Sequence, residues 1–499
     1  MGGFFGVASN GDCVADLYYG TDYHSHLGTR RAGMVTTCAG GFKRTIHDIS
    51  SAPFRTKFEE ELGKHRGGFG LGIISDYEDQ PLVIGSHHGV YALATVGRVN
   101  NLDALVKRAL ATRRTHLSEF KGNEYNPTEV VATLINEQAT IAEGIRWAQE
   151  QVDGSCSMLL LTADALYAVR DRFGRTPVVI GRKDGACAAT LESSALPNLG
   201  YETARELGPG EVARLAPGGV ETVAPPGDVM RMCAFLWIYY GYPASTYEGI
   251  NTEAARNRCG EALARREDAA IDCVAGIPDS GIGHAVGYAS ASGVPYRRPF
   301  VKYTPTWPRS FMPQDQGVRD LVARMKLIPI RDLIAGKRIL FCEDSIVRGT
   351  QLRDIITRVF DHGAREVHMR AACPPLLHGC RFLNFSRSRS EMDLAARRAI
   401  SDIERNGNQH LGEYATASSS RFEAMVERIR QHLGLTTLRY QTLPDMIAAI
   451  GLPPERLCTY CWDGKACSRA SLPVDHDASV AAPGAGHPPQ KATVSPTLP

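Results

Sequence analysis

The stretch "ILFCEDSIVRGTQLRDII", residues 339–356, decides how the second half of this chain is read. An apolar run ends in two acids, Glu343 and Asp344, and a short loop with a single glycine follows. Leu352, Ile355, Ile356, Val359 and Phe360 then recur at helical spacing until Gly363. The pattern predicts a buried strand, a tight loop and an amphipathic helix stopped by glycine. In parallel α/β sheets, ligands bind outside the carboxyl ends of strands, which is where the acids fall. The loop 345–350 leads into a helix N-terminus, whose free N–H groups and dipole favour an anion. Gly349 lets the backbone approach a ligand closely, and Ser345 and Thr350 add hydroxyl donors. A phosphate on the loop, with acids that accept bonds from ribose hydroxyls or help hold a metal, suits a phosphorylated sugar. The spacing fits neither GxxxxGK[ST] nor GxGxxG, which disfavours Walker-type nucleotide binding.

Working outward, "AIDCVAGIPDS" (270–280) reads as another buried strand into a turn, and "GIGHAVGYASASG" (281–293) as a small-residue helix ending at Gly293. "EVHMRAAC" (366–373) supplies a further strand. Strands alternating with helices imply a parallel sheet flanked by helices. Residues 1–225 differ, with short strands, turns and interspersed helices. "SMLLLTADALYAVRD" (157–171) reads as two strands across a turn, and "PTEVVATLINEQATIAEGIRWAQEQV" (127–152) as helical. Glycine and proline accumulate in "LAPGGVETVAPPGDV" (215–229), which places a boundary near residue 226. From 471 the chain is rich in Pro, Ala and small polar residues and reads as a disordered tail, 471–499. No internal repeat is visible.

At 499 residues, two or three domains are expected. Apolar residues at 43% and charged residues at 22% are ordinary for a soluble globular protein, and a net charge of +2 gives no argument for nucleic acid or an anionic membrane. No apolar run has membrane-spanning length. "MGGFFGVASNGDC" lacks the features of a secretory or myristoylation signal, so a cytoplasmic location is expected. The 13 cysteines are an odd number spread over a large chain, so a cluster among them points to a metal site rather than disulfides.

"EDSIVRGT" resembles the phosphoribosyl-pyrophosphate (PRPP) motif of type I phosphoribosyltransferases. "GIPDSGIGHAVGYA", "VPYRRPFVKY", "RSFMPQDQGVRDLVARMKL" and "GKRILFCEDSIVRGTQ" follow the order and spacing of the glutamine phosphoribosylpyrophosphate amidotransferase (amidophosphoribosyltransferase) family, densely over roughly 230–385. That family opens purine biosynthesis by making phosphoribosylamine. The resemblance implies that Asp279 and Ser280 face pyrophosphate and magnesium. It also implies that Glu343, Asp344, Ser345, Val347, Arg348, Gly349 and Thr350 hold PRPP. Lys302, Arg309 and Lys326 would reach the leaving pyrophosphate, although each taken singly also reads as a solvated surface charge. Magnesium prefers oxygen ligands shared with phosphates, which Ser280, Glu343, Asp344 and water could complete. Catalysis would then be mostly positioning and neutralising the leaving group.

"LCTYCWDGK" places Cys458 and Cys461 as C-x2-C. In bacterial relatives with a [4Fe–4S] cluster, two distant cysteines complete the set, and their positions match Cys233 in "RMCAFLWIYY" and Cys380 in "CPPLLHGC". Four thiolates suit an iron–sulfur cluster or structural zinc; the resemblance favours the cluster. Cys373 and Cys467 lie close enough to confuse the assignment.

The first half resembles the glutaminase domain of the same family, an N-terminal-nucleophile (Ntn) hydrolase, through "GGFFGVAS", "RDRFGRTPVVIG", "ATLESSALPNLG" and "ELGPGEVARL". In active members, removal of Met exposes a cysteine whose thiolate attacks the glutamine amide. Here Gly2 stands at that position. Ser75 aligns with the arginine that pairs with the substrate carboxylate, Val96 with the asparagine of the oxyanion pair (Gly97 remains), and Pro127 with the aspartate that pairs with the glutamine amine. The four concordant losses imply a domain that does not hydrolyse glutamine. The histidines of "HSH" (24–26) read as packing or surface residues.

The expectation is therefore an inactive Ntn-type αββα sandwich, 1–225, joined to a type I phosphoribosyltransferase domain with a C-terminal cysteine segment, 226–470. Its expected activity is that of a PRPP-dependent pentosyltransferase using magnesium, with ammonia or another amine from solution or from an ammonia-supplying partner protein. The alternatives are a regulatory or scaffolding protein that binds PRPP or purine nucleotides without turnover, and an enzyme that puts another nucleophile on PRPP, since 381–450 departs from the family. A homo-oligomer is expected.

Overall fold

The computed structural model describes residues 2–38, 40–111, 116–121, 124–302, 327–384 and 390–465. The first lobe holds two antiparallel sheets. One runs Glu202–Glu206, Val179–Lys183, Ala186–Thr190, Gly3–Ser9, Phe69–Ser75, Arg31–Cys38, Gly41–Asp48 in spatial order. The other runs Gly219–Ala224, Val212–Ala216, Leu166–Val169, Gly154–Leu161, Gly89–Val99, Leu82–Ser86. Phe4, Val35, Leu71, Ala94, Leu159 and Ile180 fill the space between them. The helix Val14–Asp22 covers the outer face of the first sheet through Leu17 and Tyr18. Pro127–Ile135 and Ile141–Gln151 cover the second through Val131, Ile135 and Ile145. The layers are thus α, β, β, α, as expected for an Ntn-type sandwich.

"SMLLLTADALYAVRD" forms the expected hairpin, with Leu161 opposite Leu166. The stretch 127–152 is not one helix but two. Thr140 begins the second: its hydroxyl accepts from the Glu143 N–H (3.2 Å) and donates to the Glu143 carboxylate (2.8 Å). That reciprocal T-x-x-E cap starts a new helix where periodicity alone continues the old one.

After Ala224 the architecture changes. Cys273–Gly276, Arg338–Glu343, Glu366–Ala371 and Thr437–Tyr440 form a wholly parallel sheet in that order. Its buried runs, such as Ile339–Cys342, have apolar cover on both faces, as parallel sheets require. The helices Thr252–Ala264 and Ile282–Ser292 lie against one core, and Thr350–Asp361 and Ser420–Leu433 against the other. Gly293 ends its helix in the left-handed region (φ 72°). Residues 381–450 carry the helices Ala395–Glu404, Leu411–Tyr414, Ser420–Leu433 and Leu443–Ile450. Among the described residues no helix is long and apolar enough to cross a membrane. The expected tail, 471–499, and Cys467 lie outside the described residues.

The lobes share a polar seam. Arg170 is fully buried. It donates to the carbonyls of Thr176 (3.0 Å), Leu207 and Gly174 (3.1 Å) in its own lobe and to Glu248 of the second lobe (2.8 Å). Arg456 reaches the other oxygen of Glu248 (2.8 Å). Glu192 of the first lobe accepts from Ser245 (2.7 Å) and Tyr247 of the second.

Candidate functional site

The strand Arg338–Glu343 ends, as expected, at the acids, and Gly349 (φ 75°) leads into the helix Thr350–Asp361. The neighbouring strand Cys273–Gly276 delivers the turn 277–281 to the same edge. That turn packs closely: a Cβ on Gly281 would stand 2.3 Å from the Cys342 carbonyl oxygen, and Ile277 N donates to that oxygen (3.0 Å). The result brings Ser280 to the acids. Ser280 Oγ donates to one oxygen of Asp344 and Ser345 Oγ to the other, both at 2.5 Å. Lys302, on the strand Phe300–Lys302, pairs with the carboxylate of Asp279. Burial, and then Asp344 beside it, raise the Glu343 carboxyl well above the usual carboxylate range. A sugar hydroxyl or a cation at this point would restore its charge. The structure thus gathers Asp279, Ser280, Lys302, Glu343, Asp344, Ser345, Val347, Arg348, Gly349 and Thr350 around one strand edge. Arg309 and Lys326 lie outside the described residues.

The corresponding corner of the first lobe is arranged differently. Gly3 pairs with Ile74, which sets Gly2 beside Ser75. A Cβ on Gly2 would stand 2.6 Å from the Ile74 carbonyl oxygen, so a side chain there needs the strand to shift. Ser75 Oγ donates to Glu78 (3.1 Å), and Gln80 Nε2 reaches the same Glu78 oxygen (3.4 Å). Gln80 also accepts from Thr95 N (2.7 Å) and donates to Thr95 O (3.2 Å). Burial raises Glu78 above its ordinary value. Val96 is buried between the sheets. Pro127 is the first residue of its helix, where the missing N–H costs nothing, and Asn126 caps that helix by accepting from Thr128 N (2.9 Å). The polar groups of this corner are paired with one another.

A model of the glutamine amidotransferase domain matches residues 71–198. The amidophosphoribosyltransferase of Bacillus subtilis (strain 168) is 30% identical over 482 residues, which cover 93% of this chain and 93% of that protein. The chain belongs to the amidophosphoribosyltransferase family. The amidophosphoribosyltransferase of Methanocaldococcus jannaschii is 29% identical over 500 residues, covering 93% of this chain and 97% of that one. Among solved structures, the glutamine PRPP amidotransferase from B. subtilis complexed with ADP and GMP superposes with a TM-score of 0.80 at 28% identity. It covers 93% of this chain and 97% of that chain. Fold and family read from the motifs therefore stand: an Ntn-type glutamine amidotransferase lobe joined to a phosphoribosyltransferase lobe.

Within this amidophosphoribosyltransferase fold the four cysteines come together from three segments. Cys233 and Cys458 are register partners on two short parallel strands. Burial raises the Cys233 thiol well above its ordinary value, with Cys458 and Cys380 adding to the effect. A hydrogen bond between Cys380 and Cys461 lowers the first and raises the second. Leu383 N donates to Cys380 Sγ (3.3 Å). Soft thiol donors are the right chemistry for iron–sulfur or zinc. Even so, no group of three or more His, Cys, Asp or Glu stands in metal-holding geometry among the described residues, the four thiols included. Cys373 is buried, and burial, with Asp344 adding to it, raises its thiol well above the ordinary value.

Sequence reasoning missed what holds the Cys380 segment. Asn384 donates to the Gly97 carbonyl (3.1 Å), Arg98 to the Cys380 carbonyl (3.0 Å) and Asn100 to the Arg381 carbonyl (2.9 Å). The "GRVN" strand end, read for its lost amide, is a bracket for the cysteines. Among the "HSH" residues, His24 is fully buried and bonded to the Gly20 carbonyl (2.9 Å), and burial lowers it to about 4. His26 pairs with Glu192 (3.0 Å).

Proposed function

We propose that this chain transfers an amine to PRPP, forming 5-phosphoribosylamine and pyrophosphate, and that its glutaminase lobe is silent. The nitrogen lone pair attacks ribose C1, the bond from C1 to the pyrophosphate oxygen breaks, and the nitrogen then loses a proton. The 5-phosphate would rest on the N–H groups of residues 347–350, at the N-terminus of the helix Thr350–Asp361. Glu343 and Asp344 would accept from the ribose hydroxyls. Lys302 would exchange Asp279 for the departing pyrophosphate. Glu343, Asp344 and Ser280 would hold a magnesium ion, whose positive charge would favour departure of the pyrophosphate. Cys233, Cys380, Cys458 and Cys461 would supply the thiolates for a [4Fe–4S] cluster or zinc, which would tie the C-terminal segment to the stretches around Cys233 and Cys380.

The observation that carries the reading is the meeting of Ser280 and Ser345 on Asp344 beside a left-handed glycine and a helix N-terminus. Silence of the first lobe is supported by the strand carbonyl that crowds Gly2 and by the Ser75–Glu78–Gln80–Thr95 hydrogen bonds. Ammonia would then come from solution or from a partner protein.

The test follows pyrophosphate release from PRPP and magnesium with either ammonium or glutamine. Release with ammonium alone supports both parts, and release with glutamine, in a preparation free of other glutaminases, sinks the second. A solved relative is complexed with ADP and GMP, so a second reading is that this chain binds PRPP or a purine nucleotide without turnover. Tight PRPP binding with no release under any amine would select it.

A further inference from the structure

The outer face of the phosphate loop is gripped by residues that belong to neither sheet edge. Ala395 N, at the start of the helix Ala395–Glu404, donates to the Val347 carbonyl (2.8 Å). The Arg398 guanidinium donates to the Arg348 carbonyl, and Arg348 faces Asp393 at 3.7 Å. A Cβ on Gly349 would stand 3.2 Å from Leu433 and 4.0 Å from Ala395. Three successive residues of the loop, 347–349, therefore lean on the segment 393–398 and on Leu433.

That segment is itself held by one buried cation. Arg397 is 2% exposed. Its Nε donates to the Leu377 carbonyl (2.5 Å), Nη1 to the Gly407 carbonyl (2.8 Å) and to Asn408 Oδ1 (2.7 Å), and Nη2 to Glu391 (2.5 Å). Leu377 in turn donates its N–H to the Cys461 carbonyl (3.0 Å). Hydrogen bonds join the cysteine segment to Leu377 and Leu377 to Arg397, the backbone carries on from Arg397 to Ala395, and a further hydrogen bond joins Ala395 to the loop. A planar five-donor fork can hold four acceptors on three separate stretches of chain at once, which lysine cannot.

We infer that Arg397 and Arg398 are positioning residues that set the conformation of the phosphate loop, with 390–408 acting as a strap between that loop and the cysteine segment. The inference rests on the loop being the phosphate site proposed above. Loss of either arginine releases the outer face of 347–349, so the N–H groups no longer converge on one anion.

The test uses the full-length chain with Arg397→Gln, Arg397→Lys and Arg398→Ala, read in two ways. Hydrogen exchange of peptides covering 346–352 needs no ligand. Steady-state kinetics with ammonium give KM for PRPP and kcat separately. Faster exchange in this peptide and a KM raised about tenfold, with kcat within about twofold, are expected for Arg397→Gln and Arg398→Ala. Arg397→Lys should fail to restore either. Arg398 is exposed, so its alanine variant keeps the test decisive if Arg397 variants do not fold. Exchange as slow as wild type in folded Arg398→Ala overturns the inference, and so does faster exchange with an unchanged KM. If the wild type neither binds nor turns over PRPP, the proposed function fails, while the exchange comparison still decides the strap.

Discussion

The carboxyl end of Arg338–Glu343 and the carboxyl end of Phe69–Ser75 can be set side by side. Both are central strands that end in a hydroxyl-bearing, acid-containing loop. At the first, half-buried Glu343 stands beside buried Asp344, and two serines converge on the Asp344 carboxylate. At the second, Ser75, Glu78, Gln80 and Thr95 are linked one to the next by hydrogen bonds. A fold survives on its buried apolar faces, whereas chemistry needs polar groups held ready for something absent. The comparison teaches that a lobe can keep every layer of its sandwich while its polar corner turns inward.

The largest effect that could break the comparison is expected at Asp344. Asp344→Asn removes a charge that two serines orient, and ammonium-dependent pyrophosphate release should fall roughly a hundredfold or more. A fall of only a few-fold would mean that the first corner does not carry the transfer. Gly349→Ala comes next. The left-handed backbone there costs alanine about 1 kcal/mol, and its Cβ presses on Leu433. Expected are a lower Tm and a KM for PRPP raised about tenfold, measured by melting and by initial rates.

A smaller effect concerns the seam between the lobes. Burial, and then Glu248, raise Glu206 to about 7. A carboxyl raised in the folded state contributes stability that is present in full below its ordinary value of 4.5 and is lost as pH rises through about 7. Glu206→Gln should therefore raise Tm at pH 8, by a gain on the order of 1–2 kcal/mol, and leave it nearly unchanged at pH 4.5. An equal shift at both pH values would remove Glu206 from the seam's titration. Smallest of all, Gly2→Cys should confer no glutamine-dependent release, because the strand carbonyl crowds the new side chain and no arginine stands at Ser75. Measurable glutaminase in that variant would show the second corner to be one residue from activity.

Much of this was legible locally. The strand–acids–loop–helix order, the left-handed Gly349 and the helix face of Leu352, Ile356 and Val359 depend on neighbours a few residues apart, and all appear where the pattern puts them. The break at Thr140 was legible too, in its T-x-x-E cap, but apolar periodicity ran across it. What the chain hides is long-range. Nothing near Arg397 in sequence announces Leu377 and Cys461, and nothing near Gly97 announces Asn384.

The buried guanidinium of Arg170 bears on any attempt to make a smaller catalyst. A chain cut near residue 226 would leave Glu248 with only Arg456 for company. It would also take away the Arg98 and Asn100 donors that brace the peptide bonds after Cys380. Truncation would thus unsettle the remaining half from the inside, which gives evolution a structural reason to carry the sandwich forward whatever its own chemistry.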